Sequence, residues 1–216
     1  MNPYIIINFK TYPASSGKNS LRLSRCLEKV ANSSKKVMLA VQNSEIFHLS
    51  SNISLPVLAQ HVDFFSPGRN TGFIIPETVK KDGAFGSLLN HSEHPLSFDV
   101  LKKTILRCKD VGLKSVVCIP NMSFIDDLIS LGPDFIAYEE PSLISSGKSI
   151  TSVMPDAIFD FSSKLKGTGI IPLVGAGVSS SEDVKKALEF GTKGVLVSSA
   201  VVNSKSPSRV LSSFMK

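Results

Sequence analysis

The chain has 216 residues, of which 42% are hydrophobic and 19% charged, so it can bury one large core and disorder is excluded as its main state. No apolar run reaches the roughly 20 residues of a membrane span or forms a signal-peptide core, so we expect one domain over residues 1–216, in the cytoplasm and away from membranes. The formal net charge is +6, but the lysines stand in scattered pairs without an arginine cluster or interleaved aromatic residues, so we expect a solvated surface and no nucleic-acid partner.

Eight short runs rich in valine, isoleucine and leucine recur along the chain and are predicted to be strands. They lack the strict alternation of a half-exposed sheet, and near-continuous apolar runs are typical of strands that are covered on both faces. In chain order the runs are Tyr4–Asn8, Val37–Val41, Val57–His61, Ser87–Asn90, Ser115–Ile119, Phe135–Tyr138, Ile170–Val174 and Val195–Val197.

Helical patterns separate these strands. Ser180 followed by Asp183 resembles a capping box at the start of a helix over Glu182–Phe190, and Gly112 and Gly191 stand where helix C-caps belong. Apolar residues at helical spacing form stripes on three segments, within Leu23–Val30, Phe98–Cys108 and Val184–Leu188.

The alternation of strands and helices predicts an α/β protein. Eight βα units without a break in composition favour one (β/α)8 barrel, although a doubly wound sheet of about six to eight units would give much the same pattern. The length lies near the lower end for such barrels, so we expect a shortened version in which some helices are reduced or missing, above all after Val41 and Val62.

The three cysteines give no sign of a metal site. Cys26, Cys108 and Cys118 lie inside apolar patterns, without a CxxC pair and without histidines at zinc-ligand spacing. Buried, unreactive thiols are therefore expected, and no metal.

Polar residues follow the first and fourth predicted strands, and parallel barrels collect their chemistry at the carboxyl ends of strands. Asn8 and Lys10 end the first strand on the same side, although a lone lysine there is usually a solvated charge. His91 and Glu93 follow the fourth strand beside helix-start residues, where a capped turn is the plain alternative. Neither segment alone is sufficient to predict an active site.

The later strands end in an acid, a loop and two turns. Glu139 leads into a segment with small residues up to Gly147, which predicts a general base beneath a lid, with an exposed surface loop as the alternative. Gly175–Gly177 and Ser198–Ser199 follow the last two strands, where barrels build phosphate sites from backbone N–H groups. Ordinary tight turns would explain either segment singly.

Together and in order, these segments resemble the triosephosphate isomerase family from Asn8 to about Val202. Gly-Ala-Gly in the phosphate turn and Ser142 in the lid are similar to the compact archaeal branch. Glu140 in place of a proline, and Ser145-Ser146-Gly147 in place of Gly-Thr-Gly, depart from the pattern and should change lid kinetics rather than the reaction. The motifs that carry the resemblance are Asn8-Phe9-Lys10, His91-Ser92-Glu93, Glu139 to Gly147 and Gly175-Ala176-Gly177.

The resemblance implies the (β/α)8 TIM barrel fold and an isomerase without metal or cofactor, which interconverts dihydroxyacetone phosphate and glyceraldehyde 3-phosphate in glycolysis and gluconeogenesis. It implies that Glu139 abstracts the proton, that His91 donates as a neutral imidazole and that Lys10 supplies fixed positive charge. It implies a neutral donor in Asn8 and a supporting role for Glu93. The implied phosphate ligands lie in Gly177, Ser198 and Ser199 and in the lid at Ile144 and Ser145.

The resemblance also implies a homo-oligomer. Ala59–Val62 followed by Asn70–Gly72 resembles the family's third loop, which crosses into a neighbouring subunit. A dimer and a tetramer share this contact, so both stay open.

Two other functions stay open at this stage. Another phosphosugar barrel, an epimerase or a lyase, would share the phosphate cradle, but a metal-dependent epimerase needs inward histidines and aspartates on several strands. A catalytically silent anion-binding barrel would fit the basic charge, and Glu140 is its best support. The set of His91, Glu139 and Lys10 favours the isomerase over both.

Overall fold

The computed structural model describes residues 2–32, 34–143 and 147–216. Eight parallel strands form a closed barrel in chain order, with the last strand paired to the first. This closure confirms the (β/α)8 barrel and excludes the doubly wound sheet, whose edge strands stay unpaired. The strands are β1 Tyr4–Asn8, β2 Val37–Val41, β3 Val57–Ala59, β4 Gly86–Leu89, β5 Lys114–Ile119, β6 Phe135–Tyr138, β7 Ile171–Val174 and β8 Gly194–Val197.

The predicted strand bounds differ most at β3, which ends at Ala59 rather than at His61. The cause is local, since the residues after Ala59 leave the barrel and turn toward the carboxyl end of β1, where Gln60 donates hydrogen bonds. The predicted strand therefore extends two residues beyond the end of β3.

Helices pack outside the barrel throughout the described ranges, and the predicted shortening is confirmed as reduction rather than loss. The helices after β2 and β3 have five and six residues. The helices are α1 Lys18–Ala31, α2 Ile46–Ser50, α3 Pro76–Lys81, α4 Phe98–Val111, α5 Ile125–Leu131, α6 Ile150–Val153, α7 Pro155–Lys164, α8 Ser181–Glu189, α9 Ser199–Val202 and α10 Pro207–Phe214.

The predicted helix ends are present except at Gly191, because the C-cap of α8 is Phe190 and Gly191 follows it at φ 90°. Ser180 and Asp183 form a reciprocal capping box at the start of α8, so this helix spans Ser181–Glu189, one residue earlier than predicted. Gly112 ends α4 in the left-handed conformation, at φ 71°, which costs glycine least because it lacks a Cβ atom. None of the helices in the described part of the chain has the length and apolarity needed to cross a membrane.

Two apolar layers hold the barrel, and their alternation positions the site. On β1, Ile6 packs into the barrel interior, whereas Ile5 and Ile7 pack against the helices. Continuing this alternation turns Asn8 and Lys10 toward the barrel axis at the carboxyl end. The same alternation on β6 carries Ala137 and then Glu139 inward.

The cysteines are all free, and two of the three are buried as predicted. Cys26 is only half-buried, because it lies at the edge of the apolar face of α1. Burial raises the pKa of the Cys108 thiol to about 12, so this thiol is unreactive at neutral pH. Cys118 faces the barrel interior and lies close to the functional groups described next.

Candidate active site

A cleft of ≈ 440 Å³ opens at the carboxyl end of the barrel. It gathers predicted site residues from the ends of five strands, β1, β4, β6, β7 and β8. Glu93 lies at the edge of this cleft, bonded to Lys10, whereas the predicted Ile144 and Ser145 lie outside the described residues. The predicted residues that line the cleft are Asn8, Lys10, His91, Glu139, Gly177, Ser198 and Ser199.

Glu139 is a buried carboxylate, 5% exposed, at the floor of the cleft. Its backbone N–H donates to the carbonyl oxygen of Ile119 at 2.9 Å, so the residue is held as a continuation of β6. A Cβ atom at Gly175 would lie 2.5 Å from Glu139 Oε1, so glycine is needed there to leave space for the carboxylate. Among the described residues Oε2 has no hydrogen-bond partner, and it is therefore available to receive a proton.

Burial raises the pKa of Glu139 above its ordinary value. The charge interaction with His91, a hydrogen bond from the Cys118 thiol and the charge of Lys10 act in the opposite direction. A carboxylate with a raised pKa is a stronger base than an exposed glutamate, and it is still ionised at neutral pH when cations and donors offset the cost of burial.

His91 is held with one ring nitrogen directed at the chain and the other facing Glu139. Asn90 adopts the left-handed conformation, φ 59°, and its side chain bridges the carbonyl of Cys118 and the N–H of Leu96, both at 2.8 Å. The N–H of Glu93 donates to His91 Nδ1 at 3.2 Å, so Nδ1 carries a lone pair and the neutral ring holds its proton on Nε2. This Nε2 lies 3.9 Å from Glu139 Oε2.

Lys10 is fixed at the mouth of the cleft in an uncommon backbone conformation. Its φ is 47°, a left-handed geometry that costs a residue with a Cβ atom about 1–3 kcal/mol and is held by its surroundings. Its N–H donates to Asn8 Oδ1 at 2.9 Å, and its Nζ bonds to Glu93 Oε1 at 2.6 Å. The Lys10 side chain is 11% exposed and that of Glu93 57%, so Glu93 anchors the ammonium group from the solvent side.

Gln60 is a site residue that the sequence analysis assigned only to the loop between subunits. Its Nε2 donates to the carbonyl of Lys10 at 3.0 Å and lies 3.3 Å from Asn8 Oδ1. It thereby holds the turn that aims Lys10. The sequence placed Gln60 near the carboxyl end of the predicted strand Val57–His61, the end at which parallel barrels collect their chemistry. Cys118 was likewise expected to be inert, but it faces inward beside Glu139 and lowers the pKa of that carboxyl group.

The far side of the cleft is formed by the turn after β7 and by the start of α9. Ala176 and Gly177 both have positive φ, at 69° and 71°, so the chain turns tightly here and its backbone lies at the cleft wall. Ser198 donates its hydroxyl to the carbonyl of Asn8 at 2.7 Å and precedes α9, and the first turn of a helix leaves N–H groups without intrahelical partners. This wall suits a phosphate group.

What this cleft can do follows from its groups. A carboxylate that removes a proton from carbon needs donors that receive the resulting negative charge, and His91, Lys10 and Asn8 stand where they can do so. Within the described ranges, no group of three or more His, Cys, Asp or Glu residues could hold a metal ion. The fold and the site define a barrel enzyme that transfers protons on a small phosphorylated substrate.

Comparison with known proteins gives the family. The sequence model of the triosephosphate isomerase family matches residues 3–214. The triosephosphate isomerase of Sulfurisphaera tokodaii is 38% identical over 215 residues, which cover 99% of this chain and 94% of the relative. That of Methanothermus fervidus is 37% identical over 212 residues, which cover 97% and 96%. The chain belongs to the triosephosphate isomerase family, and its archaeal relatives confirm the predicted branch.

A solved structure supports the fold as well. The crystal structure of triosephosphate isomerase from Bartonella henselae superposes with a TM-score of 0.73 over 100% of both chains, at 17% sequence identity. At that identity the likeness shows the shared barrel alone, so the assignment of roles to single residues depends on the geometry above.

Proposed function

We propose that this chain interconverts dihydroxyacetone phosphate and D-glyceraldehyde 3-phosphate, with Glu139 as the base, His91 as the proton donor and Lys10 as the fixed charge. The observation that carries this proposal is the pairing of Glu139 Oε2 with His91 Nε2 at 3.9 Å on the floor of one cleft. At this spacing, a substrate carbon can contact the carboxylate while the neighbouring carbonyl oxygen contacts the imidazole. The reaction serves glycolysis and gluconeogenesis, and we place the protein in the cytoplasm.

The proton transfer proceeds through an enediolate. Glu139 takes a proton from C1, the electrons of the broken C–H bond form a C1–C2 double bond, and the carbonyl oxygen on C2 becomes an oxyanion. His91 Nε2–H and the Lys10 ammonium stabilise that charge without reorganising, because both are already held in place. Asn8 adds a neutral donor. His91 gives its Nε2 proton to the oxygen on C2 and takes the hydroxyl proton from the oxygen on C1. Glu139 then returns its proton to C2, the C1 oxygen forms the aldehyde carbonyl, and both side chains regain their starting protonation.

The phosphate holds the substrate in register with the base. We assign its binding to the backbone amides of Gly177, Ser198 and Ser199, and to the lid at Ile144 and Ser145 when the lid is closed. Glu140, the departure that supported a silent barrel, does not line the cleft, and its Oε1 accepts the N–H of Ser142 at 3.1 Å. The substitution therefore leaves the catalytic groups in position.

A coupled assay tests the proposed reaction directly. The purified chain should isomerise glyceraldehyde 3-phosphate in the presence of excess chelator. A folded oligomer that binds phosphate but shows no turnover would overturn the proposal and leave the silent anion-binding barrel as the better description.

The pH profile tests the electrostatics of the base. The Cys118 hydrogen bond lowers the pKa of Glu139, so Cys118→Ala should raise that pKa, and more of the base is then protonated at a given pH. We expect the acid limb of kcat/KM to move to higher pH. Cys108→Ala removes a buried thiol on α4, outside the barrel interior, and should leave the limb in place. An unmoved limb in Cys118→Ala would show that the thiol does not act on Glu139.

We further propose a homo-oligomer in which residues 63–74, here termed the third loop, enter a second cleft of the partner. The loop closes at its base, where Asp63 N–H donates to the Ile74 carbonyl at 2.8 Å. Directly beyond this base the rings of Phe64 and Phe65, and of Phe65 and Phe73, lie 4.3 and 4.5 Å apart. Phe73 is 50% exposed, and an exposed aromatic side chain at the edge of such a cluster favours a protein contact.

The receiving surface lies beside Lys10. A second cleft of ≈ 610 Å³ is lined by Lys10, Gln60 and Glu93. Two buried atoms that also belong to this cleft, Asn43 Oδ1 and His61 Nδ1, have no hydrogen-bond partner among the described residues. Polar groups of an entering loop would satisfy them.

Phe73→Asp should break this contact. We expect the mass in solution to fall and kcat to drop by about 100-fold, because the wall that supports Lys10 is lost and small misplacements are costly. Phe159→Asp changes a comparably exposed ring on α7 and should alter neither quantity. Light scattering after gel filtration, with the isomerase assay, measures both, and an unchanged mass for Phe73→Asp would exclude the third loop as the contact.

A further inference from the structure

A buried carboxylate behind the phosphate turn contacts the first turn of α8. Asp183 is 8% exposed, and its Oδ2 accepts hydrogen bonds from the N–H groups of Ser179 and Ser180 at 3.0 and 2.9 Å and from the Ser180 hydroxyl at 2.8 Å. These two amides follow directly after the Gly175–Val178 turn. Asp183 therefore occupies them, and the substrate phosphate is left with Gly177 and the start of α9.

The second oxygen of the same carboxylate reaches the segment that leaves the lid. Thr151 Oγ1 donates to Asp183 Oδ1 at 3.2 Å, and the Ser149 hydroxyl lies 2.8 Å from that of Thr151. Both hydroxyl residues are buried. Although burial raises the pKa of Asp183, hydrogen bonds from Ser179, Ser180 and Ser149 hold it below its ordinary value, so the group at this junction is an anion at neutral pH.

The lid end and the phosphate turn also touch through their backbones. A Cβ atom at Gly177 would lie 1.9 Å from the carbonyl oxygen of Lys148, and Ile150 N–H donates to the carbonyl of Ala176 at 3.2 Å. Gly147 lines the cleft together with Gly177. A shift of the lid end would therefore displace the phosphate turn as well. The hydrogen bonds of Asp183 hold these two segments in their observed positions.

We propose that Asp183 is a positioning residue, which locks the C-terminal end of the lid to the phosphate turn through Thr151 and Ser149. This role rests on the proposed isomerase reaction. A capping carboxylate would need only the Ser179 and Ser180 contacts to stabilise α8. The additional bond to Thr151 couples phosphate binding to the position of the lid.

The chemistry of the enediolate provides a readout specific for this role. If the lid end is loose, the enediolate that carries its charge on the C1 oxygen and a proton on the C2 oxygen can expel phosphate. The C1 oxygen forms a carbonyl, the C1–C2 double-bond electrons move to C2–C3, and the C3–O bond breaks with its electron pair on phosphate. The enol that remains takes a proton on C3, loses its hydroxyl proton and becomes methylglyoxal. No oxidant or further reactant is needed. The share of turnovers that ends in methylglyoxal therefore measures lid closure, whereas a purely structural loss does not change it.

Two matched variants separate the contact of Asp183 with the lid end from its capping contact at the start of α8. Thr151→Val has nearly the same shape and removes the hydroxyl that contacts both Asp183 Oδ1 and the Ser149 hydroxyl. Ser180→Ala removes a hydroxyl bond to the same carboxylate on the capping side. We expect Thr151→Val to raise KM about tenfold, as loss of a hydrogen bond to a charged group does, and to raise the methylglyoxal share, with Thr151→Ser restoring both. Ser180→Ala should lower Tm and change neither.

The proposed role of Asp183 would be overturned by equal kinetic effects of Thr151→Val and Ser180→Ala, by an effect of Thr151→Val on Tm alone, or by no rescue in Thr151→Ser. If Thr151→Val does not fold, Ser149→Ala gives the same comparison. Calorimetric titration with inorganic phosphate keeps the two proposals apart. An inactive wild-type chain would defeat the proposed reaction, while a weaker phosphate affinity in Thr151→Val alone would still support the lock and an equal affinity would defeat it.

Discussion

Glu139→Gln should lower kcat by about a thousandfold, the contribution of a well-placed general base. The amide has the shape of the carboxylate but cannot accept a proton from carbon. The binding of a phosphate analogue should survive, since the backbone amides at Gly177, Ser198 and Ser199 are unchanged. The coupled assay measures the loss, and calorimetric titration with 2-phosphoglycolate measures the binding.

Glu140→Gln is the matched control because it changes the next residue along the chain. Glu140 does not line the cleft, so this variant should keep most of its activity. Comparable losses in both variants would show that the lid, rather than the base, is sensitive to charge here. Full activity of Glu139→Gln would remove Glu139 from the mechanism.

Glu139→Gln should also be more stable than the wild type at neutral pH. Burial raises the pKa of Glu139 in the folded state, so the protonated form favours folding, and that stability is lost as the pH rises from the ordinary glutamate range through the folded-state pKa. Glutamine removes the buried charge. We expect a higher Tm for Glu139→Gln at pH 7 and a difference that shrinks as the pH falls toward the ordinary glutamate range.

Much of this site is predictable because it depends on short-range rules. The period of two along a strand places Asn8 and Lys10 on one side, and the rule that chemistry gathers at carboxyl strand ends brings His91 and Glu139 to the same cleft. The capping box of Ser180 is likewise local, since its partner lies three residues away.

The remaining features depend on contacts between distant segments. Gln60 reaches the carbonyl of Lys10 across 50 residues of chain, and Thr151 reaches Asp183 across 32. No periodicity encodes such pairs, because each depends on how two loops meet once the barrel has closed. The same holds for Gly175, where the need for glycine arises from the Glu139 side chain beside it. The roles of Ile144 and Ser145 in the lid, outside the described residues, stay predictions.

Lys10→Met should reduce kcat by about 100-fold and raise KM as well. Methionine keeps the length of the side chain but removes the charge, which lies where both the substrate dianion and the developing oxyanion need it. An effect on KM alone would limit Lys10 to binding, because a group that stabilises the transition state must also change kcat. Steady-state kinetics in both directions of the reaction separate the two cases.

Lys114→Met is the control for the loss of a lysine ion pair as such. Lys114 Nζ bonds to Asp134 Oδ1 at 2.7 Å, much as Lys10 Nζ bonds to Glu93 Oε1 at 2.6 Å. Lys114, however, begins β5 at the amino end of the barrel, away from the cleft. We expect unchanged kinetics for Lys114→Met, since an exposed ion pair contributes at most about 1 kcal/mol to stability and this one has no contact with the substrate. Equal kinetic losses in the two variants would mean that the activity depends on the ion pairs of the barrel rather than on a charge in the cleft, and the proposed role of Lys10 would fall.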